Sequence, residues 1–258
     1  DVAQFLFDLR TLMQLLDVLD KESYRYGEVL STLFDVYKKV CQYPIDVDEK
    51  VWRSALSEAN VAMKEVLATK NGPSMASIGL IGHSHMDSAW LWTVEETKRK
   101  CARTYSNAIT LMDWYPEYTF IQSSALHGAW MKKYYPSIFE NMKKRVAEGR
   151  YEPNGAVWIE CDCNITGGES MVRQFLKGQQ FTMKEFGYKS DTFWLPDTFG
   201  YSAAIPQIMK SAGVKYFLTT KMEWNESNKF PYESFTWKGI DGTPVLVHLN
   251  RTHVWPDV

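Results

Sequence analysis

The sequence predicts an α/β protein in which a helical segment precedes an incomplete, barrel-like parallel sheet of the (β/α) type. Residues 1–70 keep the 3.6-residue period of amphipathic helices, whereas from Ala76 onward short apolar runs alternate with amphipathic helices. Polar residues follow directly after several of these runs, which is typical of the C-terminal rim of such barrels. An open doubly wound sheet is the structural alternative, although the sequence contains no glycine-rich fingerprint of a dinucleotide site.

The helical segment is expected to contain three helices and no residues that carry chemistry. The third helix should run from about Asp48 to Thr69, and the turn-forming residues 71–74 end the helical region. We therefore divide the chain into a helical lead-in, residues 1–74, and a barrel domain, residues 75–258. Because the sequence stops shortly after a strand with no closing helix, we expect the barrel to be truncated and the chain to be an N-terminal fragment.

The barrel domain is predicted to contain seven strands, of which the first is buried and the last two form a hairpin. Thr93 and Glu96 have the spacing of a capping box at the start of the first helix. Asp241 and Gly242 are expected to form the hairpin turn. The predicted strands are 76–81, 118–121, 155–159, 192–195, 215–218, 235–237 and 245–249, and the predicted helices are 93–114, 125–148, 169–186 and 203–212.

The composition excludes several classes of partner. The chain has 258 residues, a net charge of −2, 45% hydrophobic residues and 23% charged residues, as ordinary globular proteins do. This charge gives no electrostatic reason to expect nucleic acid or an anionic membrane as a partner. The sequence has no apolar run long enough for a transmembrane helix. The four scattered cysteines are expected to be buried free thiols, rather than a disulfide framework or a soft-metal site at Cys161 and Cys163.

His85 and Asp87 are candidate metal ligands. They follow the first predicted strand, and side chains two residues apart in an extended segment point the same way. An imidazole nitrogen and a carboxylate oxygen can therefore meet at one divalent ion, and His83 would lie on the same face. The alternative is an ordinary hydrogen-bonded histidine, because an H-x-D triplet also arises by chance.

Asp197 follows the predicted strand 192–195 and therefore falls on the same rim as His85 and Asp87. A carboxylate there could complete a metal site, act as a nucleophile or cap the next helix. That helix is expected to begin near Ala203, which is too far along the chain for Asp197 to cap it. A role as ligand or nucleophile is therefore favoured.

Five segments in the right order and spacing resemble glycoside hydrolase family 38, the class II α-mannosidases. They read HMDSAW at 85–90, GESMVRQ at 168–174, WLPDTFGYS at 194–202, KMEWN at 221–225 and DGTPVLVH at 241–248. The resemblance covers roughly residues 75–250. It is closest to the cytosolic branch, whose members share the HSHMD and PDTFGYS forms.

This resemblance implies a retaining α-mannosidase with one zinc ion, for which cobalt or manganese could substitute. His85 and Asp87 match zinc ligands of the family, and Asp197 matches the residue that is both ligand and nucleophile. Trp90 and Phe199 match positions that line the sugar pocket, with core packing as their alternative. Under this resemblance residues 75–258 form the catalytic domain.

Three further features either depart from the family pattern or are left undecided by it. Lys221 stands where secretory-pathway relatives carry an arginine near the substrate, and it lacks the planar fork of arginine. Asp162 follows another predicted strand and is either a rim residue or a solvated loop acid. The family's further histidine ligand and its general acid have no match in this chain, where His248 and His253 qualify by residue type only. We therefore expect the isolated chain to hydrolyse substrate poorly.

The resulting prediction is a hydrolase that removes terminal α-mannosidic residues from mannose-containing oligosaccharides during their catabolism. The expected location is the cytoplasm, with the lysosome or vacuole as alternatives, and a homo-oligomer is left open. Two other functions also stay open: a metal-dependent polysaccharide deacetylase and a non-catalytic mannose-binding module. A deacetylase would need a general base beside the metal and has no use for the PDTFG segment.

Overall fold

The computed structural model of the protein describes residues 2–40, 46–72 and 79–250. The chain divides into two compact units, Asp1–Ile78 and Gly79–Val258. The first unit is helical, and the second combines helices with mainly parallel strands. The predicted α/β class, with a parallel sheet preceded by a helical segment, is therefore confirmed.

The first unit is formed by three helices that pack against one another: α1 (Val2–Val18), α2 (Tyr24–Val40) and α3 (Glu49–Leu67). Asp48 is the N-cap of α3, where its side chain accepts a hydrogen bond from the Lys50 amide. Apolar residues with helical spacing form the core between the helices: Leu12, Val29, Val36, Leu56, Ala59 and Met63.

The second unit alternates strands with helices, as the sequence predicts. Its elements are β1 (Gly82–His83), α4 (Val94–Trp114), β2 (Phe120–Gln122), α5 (Ala125–Tyr134), α6 (Pro136–Ala147), β3 (Tyr151–Pro153), α7 (Gly168–Phe186), β4 (Thr192–Leu195), α8 (Ile205–Ser211), β5 (Tyr216–Thr219), β6 (Ser234–Lys238) and β7 (Pro244–Leu249). A short 3₁₀ helix, Lys221–Trp224, follows β5. Thr93 caps α4 as predicted, since its hydroxyl accepts a hydrogen bond from the Glu96 amide at 3.4 Å.

The strands form two sheets with the orders β1-β2-β3 and β4-β5-β7-β6. All neighbouring strands are parallel except β6 and β7, which form the predicted hairpin. A parallel bridge between Gly155 and Phe193 connects the two sheets, and a second bridge joins Cys163 to Tyr201. Because the strands are parallel, the loops at their C-terminal ends gather along one edge.

Aromatic packing between α7 and the second sheet forms the centre of the core. The ring of Phe193 in β4 lies 4.7 Å from the ring of Phe175 in α7 and 5.5 Å from the ring of Phe217 in β5. All three side chains are almost completely buried, and full burial of each stabilises the fold by roughly 1.5–3 kcal/mol. This core holds β4 and β5 in place, so the loops that follow them start from fixed positions.

The predicted strand 155–159 is wrong. The strand that pairs with β2 is β3, at Tyr151–Pro153. Gly155 and Ala156 follow it with φ angles of +92° and +63°, which no extended strand contains. A side chain at position 155 would also overlap the backbone of Ser123. The chain therefore turns where the apolar sequence alone suggested continued strand.

The first predicted strand, 76–81, is also misplaced. Residues 76–78 lie outside the described part of the chain, and the following residues are neither buried nor in a strand. Leu80 is 88% exposed and Ile81 is 64% exposed. Pairing with β2 begins only at Gly82, opposite Phe120, so the strand starts later and is shorter than its apolar sequence indicates.

Two predictions from composition can be compared with the structure. Cys101, Cys161 and Cys163 are free and buried, as expected, whereas Cys41 lies outside the described residues. Among the helices of the described ranges, none is both long and apolar enough to cross a membrane.

Candidate active site

Side chains from four loops meet at the edge where the parallel strands end. His85 and Asp87 lie in the segment after β1, Asp197 follows β4, and Lys221 begins the 3₁₀ helix after β5. Glu160 reaches the same point from the segment between β3 and α7. The three residues predicted from the sequence as metal ligands are therefore brought together.

His85 lies at the centre of this group. Its Nε2 atom is 3.3 Å from Asp87 Oδ1 and 3.3 Å from Asp197 Oδ2. One donor atom from each of the three residues lies within 4.8 Å of the other two. The three side chains are between 30% and 34% exposed, so a ligand can reach them from solvent.

The donor set fits a divalent metal ion. Ligand atoms held at about 2.0–2.1 Å from a tetrahedral ion lie roughly 3.3 Å from one another. His85 Nε2 has this separation from the nearest oxygens of both Asp87 and Asp197. One imidazole nitrogen with two carboxylate oxygens suits zinc and its neighbours in the first transition series better than calcium or magnesium.

Glu160 is a member of the group that the sequence analysis missed. Its Oε2 atom lies 3.2 Å from His85 Nδ1, the ring nitrogen opposite the two aspartates. Its Oε1 atom accepts hydrogen bonds from the Asp197 amide and from the Thr198 hydroxyl, the latter at 3.2 Å. A signal is present in the sequence, since Glu160 directly follows the apolar run 155–159, two residues before the candidate Asp162.

The neighbouring carboxylates control the charge of His85. Burial of the ring lowers its pKa, but the hydrogen bond to Glu160 and the charges of Glu160, Asp197 and Asp87 outweigh burial and raise the pKa to about 9. The imidazole is therefore a cation at neutral pH. Coordination of a metal by Nε2 must displace this proton, so metal binding and proton release are linked.

The segment that carries Asp87 is held from α4 and α5. The hydroxyl of Thr97, a fully buried residue of α4, lies 2.9 Å from the Ser88 carbonyl and 3.2 Å from the Asp87 carbonyl. The Trp92 indole donates a hydrogen bond to the same hydroxyl at 3.0 Å. From α5, His127 Nε2 lies 3.1 Å from the Ser88 hydroxyl. These contacts fix the carbonyls of Asp87 and Ser88.

The segment 196–200 turns sharply after Asp197. Gly200 has a φ of +114°, a conformation that other residues rarely adopt, and a side chain there would overlap Asn164. Glycine is therefore required to end this turn. The next helix, α8, begins at Ile205 with a different N-cap, so helix capping does not explain Asp197.

Lys221 pairs with the second carboxylate oxygen of Asp197, Oδ1. Its side chain is only 4% exposed, and its ammonium group lies 3.2 Å from the centre of the Trp224 ring and 4.6 Å from the centre of the Phe199 ring. Two aromatic faces and one carboxylate thus surround the cation. Trp224 belongs to the segment 221–225 that resembles the family, but the sequence does not single it out as a site residue.

Two clefts open at the site. The first, of 340 Å³, is lined by residues of three loops, 86–89, 159–162 and 197–199. The second, of 730 Å³, is lined in part by Lys221 and Trp224 and shares Phe199 with the first. Both volumes fall in the range of small-molecule sites, roughly 300–1,000 Å³. His85, Asp87 and Asp197, the candidate metal-binding group, therefore face space for a ligand.

The two aromatic residues proposed as sugar contacts are both exposed. Phe199 is 64% exposed and Trp90 is 67% exposed, so the alternative of core packing is wrong for both. Phe199 lines both clefts. Trp90 packs edge-on against Trp92, with ring centres 5.5 Å apart. It is not one of the described residues that line the two clefts.

His83 does not join the metal-binding group. Its ring lies 4.2 Å from the ring of Trp194, and its Nε2 atom is buried with no hydrogen-bond partner among the described residues. Burial and the nearby charge of His85 lower the pKa of His83 to about 4. His83 is therefore a neutral, packed side chain.

Asp162 and His248 have local roles. Asp162 lines the first cleft, but its Oδ1 atom accepts hydrogen bonds from the amides of Asn164 and Ile165 at 2.8 and 2.9 Å. These bonds lower its pKa and hold a turn. His248 lies 2.8 Å from the Ser234 hydroxyl within the hairpin, and His253 lies outside the described residues.

Similarity to known proteins covers most of the chain. Residues 75–257 match the family model described as glycosyl hydrolases family 38 N-terminal domain. Alpha-mannosidase G of Dictyostelium discoideum is 41% identical over 246 residues, which are 90% of this chain and 23% of that protein. Alpha-mannosidase 2C1 of Mus musculus is 40% identical over 249 residues, 96% of this chain and 23% of that protein. The chain thus spans about a quarter of the length of these relatives.

A solved structure shares the fold. The crystal structure of an alpha-mannosidase from Enterococcus faecalis V583 superposes with a TM-score of 0.56 and 24% sequence identity. The superposition covers 66% of this chain and 19% of that one. This likeness agrees with the α/β architecture described above.

Proposed function

The chain belongs to glycosyl hydrolase family 38, and on that premise we propose that it provides the metal ligands and the nucleophile of a retaining zinc-dependent α-mannosidase. The observation that carries the proposal is the division of the Asp197 carboxylate between two partners. Its Oδ2 atom faces His85 Nε2 at 3.3 Å, and its Oδ1 atom pairs with Lys221. One carboxylate can therefore take part in metal binding and in chemistry at once.

His85, Asp87 and Asp197 are the residues that would hold the zinc ion. Their fit to such an ion rests on the donor types and on the 3.3 Å separations described above. When bound, zinc supplies a Lewis acid that can hold the 2- and 3-hydroxyls of mannose and offset negative charge, and cobalt or manganese could substitute.

Asp197 is the proposed nucleophile. Its carboxylate attacks the anomeric carbon of the terminal mannose, the bond to the leaving-group oxygen breaks, and a glycosyl-enzyme ester forms. A general acid from elsewhere in the complete protein gives its proton to that oxygen. Water then attacks the anomeric carbon of the ester and gives a proton to the base left by that general acid, so that mannose is released with its original configuration and Asp197 is regenerated.

The two oxygens of Asp197 ease a conflict in this arrangement, because they face different partners. A carboxylate that binds a metal is a weaker nucleophile, because its charge is already partly neutralised. Only Oδ2 of Asp197 faces His85, so Oδ1 can be the attacking oxygen once the bound substrate displaces Lys221 from it. As the ester forms and the charge of Asp197 is lost, the Lys221 ammonium becomes free to hydrogen-bond a sugar hydroxyl.

The substrate proposed is a mannose-containing oligosaccharide with a terminal α-linked residue. Exposed Phe199 lies between the two clefts, where its ring can stack on the apolar face of a pyranose. Trp90 is proposed as a second aromatic contact. Residues 75–258 are proposed as the catalytic domain, and the resemblance to the cytosolic branch supports action in the cytoplasm.

The test is an assay of the complete protein with an aryl α-mannoside, a chitooligosaccharide and mannose itself. We expect hydrolysis of the mannoside, with the α-anomer of mannose as the first product by ¹H NMR, and about one zinc per chain by elemental analysis. Acetate release from the chitooligosaccharide without mannoside hydrolysis would indicate a deacetylase instead. Mannose binding without turnover would indicate a binding module, and either result would overturn the proposal.

A further inference from the structure

We propose that Glu160 is a positioning residue that locks His85 and the Asp197 backbone into the arrangement that binds the metal, by accepting hydrogen bonds at both of its oxygens. The inference rests on the proposed metal site. Glu160 is the least exposed of the carboxylates around His85, at 14% against 34% for Asp87 and 31% for Asp197. It therefore lies deeper in the lining of the first cleft than the two aspartates do.

The first oxygen acts on the histidine ring. Glu160 Oε2 lies 3.2 Å from His85 Nδ1, while His85 Nε2 faces the oxygens of the two aspartates. A neutral imidazole can bind a metal only through the nitrogen that carries no hydrogen. A carboxylate at Nδ1 keeps the hydrogen on that atom and leaves Nε2 as the metal-binding nitrogen.

The second oxygen acts on the segment that carries the proposed nucleophile. Glu160 Oε1 accepts from the Asp197 amide and lies 3.2 Å from the Thr198 hydroxyl. The two hydrogen-bonded segments belong to different sheets, because His85 follows β1 and Asp197 follows β4. One side chain thus spans the join between the two sheets and sets the distance between two ligands.

Both terminal atoms of the Glu160 side chain must accept hydrogen bonds, and only a carboxylate offers two accepting oxygens. A glutamine at position 160 could direct its oxygen to His85 Nδ1, but its NH₂ group would then face the Asp197 amide, donor against donor. In the opposite orientation the NH₂ group would face Nδ1, which would have to lose its hydrogen to Nε2. Nε2 would then be unable to bind the metal.

The experiment compares Glu160→Gln with the complete wild-type protein. The dissociation constants for Zn²⁺ and Co²⁺ are measured by competition with a chromogenic chelator, and the visible spectrum of the Co²⁺ form is recorded. We expect metal binding to weaken about 10–100-fold, as for other residues that orient a ligating histidine. We also expect an altered Co²⁺ spectrum and a fall in kcat at saturating metal. Thermal unfolding of the metal-free proteins should show that both fold, with a lower unfolding temperature for Glu160→Gln because one buried donor loses its acceptor.

Two further variants separate positioning from general effects. Glu152→Gln is the matched control, because the Glu152 carboxylate accepts from the Tyr188 hydroxyl at 2.7 Å outside the metal-binding group, and a glutamine oxygen can do the same. Its metal affinity should equal that of the wild type. Glu160→Asp keeps two accepting oxygens on a shorter stem, so its affinity should lie between those of the wild type and Glu160→Gln.

The possible outcomes have distinct meanings. Wild-type metal affinity in Glu160→Gln would overturn the inference, whatever its activity. If Glu160→Gln does not fold, the aspartate variant decides: wild-type affinity and Co²⁺ spectrum in Glu160→Asp would then overturn the inference. A wild-type protein that binds no metal or cleaves no mannoside would instead overturn the proposed function, and that result is read before any variant is compared.

Discussion

Two histidines only two residues apart, His83 in β1 and His85 in the loop after it, have opposite chemistry. Burial lowers the pKa of His83 to about 4, while the pKa of His85 is raised to about 9. Burial lowers the pKa of both rings, so burial alone cannot produce the difference. His83 packs on Trp194, whereas His85 lies within 3.3 Å of an oxygen from each of three carboxylates.

The environment of a histidine changes at the end of β1, between His83 in the strand and His85 in the loop. Inside the sheet, a side chain contacts mainly apolar side chains of the neighbouring strands. An imidazole buried there stays neutral, because burial disfavours its charged form. One turn beyond the strand, loops from several strands converge, and their acids can surround one ring. His83 thus belongs to the packed interior of the second unit. His85 belongs to the chemical region, by which we mean the loops after β1, β3, β4 and β5 that carry the candidate site.

The largest expected effect lies in the chemical region. Asp197→Asn should lower kcat of the complete protein by roughly 10⁴-fold or more, because it removes the proposed nucleophile. The variant should fold but unfold at a lower temperature, because the buried Lys221 ammonium loses its charged partner. Turnover of an aryl α-mannoside and circular dichroism melting measure the two quantities. Activity within tenfold of the wild type would remove Asp197 as the nucleophile.

The second prediction contrasts the two histidines directly. His85→Ala should weaken zinc binding by more than about 100-fold, because it deletes a proposed ligand and not merely its support. His83→Phe keeps a ring against Trp194 and removes a buried nitrogen that has no hydrogen-bond partner among the described residues, so it should bind zinc as the wild type does. Equal zinc content in His85→Ala and His83→Phe would contradict the ligand assignment.

The third prediction concerns the loss of folding stability in acid that is caused by His127, another buried histidine. Burial and the charge of His85 lower the pKa of His127 to about 3, against an ordinary value of 6.5. Between these values the unfolded chain binds a proton that the folded chain does not. The free energy of unfolding should therefore fall as the pH is lowered from about 6.5 toward 3, by up to about 1.4 kcal/mol per pH unit.

Urea unfolding at several pH values measures this slope. His127→Gln retains a polar side chain beside Ser88 but cannot take up a proton, so its unfolding free energy should fall less steeply with acid. It should also be less stable at pH 7, where the wild-type imidazole is neutral and fully packed. An identical slope in both proteins would show that His127 does not carry the effect.

The smallest expected effect lies at the rim of the chemical region. Trp224→Ala removes one of the two rings around the Lys221 ammonium, and a cation–π contact is worth about 0.5–2 kcal/mol. We expect kcat/KM to fall about 2–30-fold, with zinc affinity unchanged. Trp224→Phe keeps an aromatic face and should restore most of the loss. A zinc defect in either variant would contradict the separate roles of Lys221 and the metal ligands.

The sequence predicts the main parts of this site because their signals are local. His85 and Asp87 are two residues apart after a strand, and Asp197 follows β4, whose boundaries the apolar pattern predicts correctly. The helix ends at Asp48 and Thr93 likewise depend on side chains within a few residues. Such features can be predicted from a few consecutive residues.

The sequence fails where the local signal conflicts with the backbone. An apolar run predicts strand 155–159, but Gly155 and Ala156 adopt positive φ angles where the two sheets join. Leu80 is apolar and yet 88% exposed, because pairing with β2 starts only at Gly82. In both cases the pairing partner determines the strand, and that partner is distant in sequence.

The sequence by itself determined the α/β class, the helical lead-in and the convergence of His85, Asp87 and Asp197 at one edge, since strand order and strand ends place them there. Tertiary structure alone decided that Glu160 binds His85 and that Trp224 covers Lys221. It also decided that His83 turns away from the group. These outcomes depend on distances between loops from different strands, which are set by packing in three dimensions and have no periodic signature along the chain.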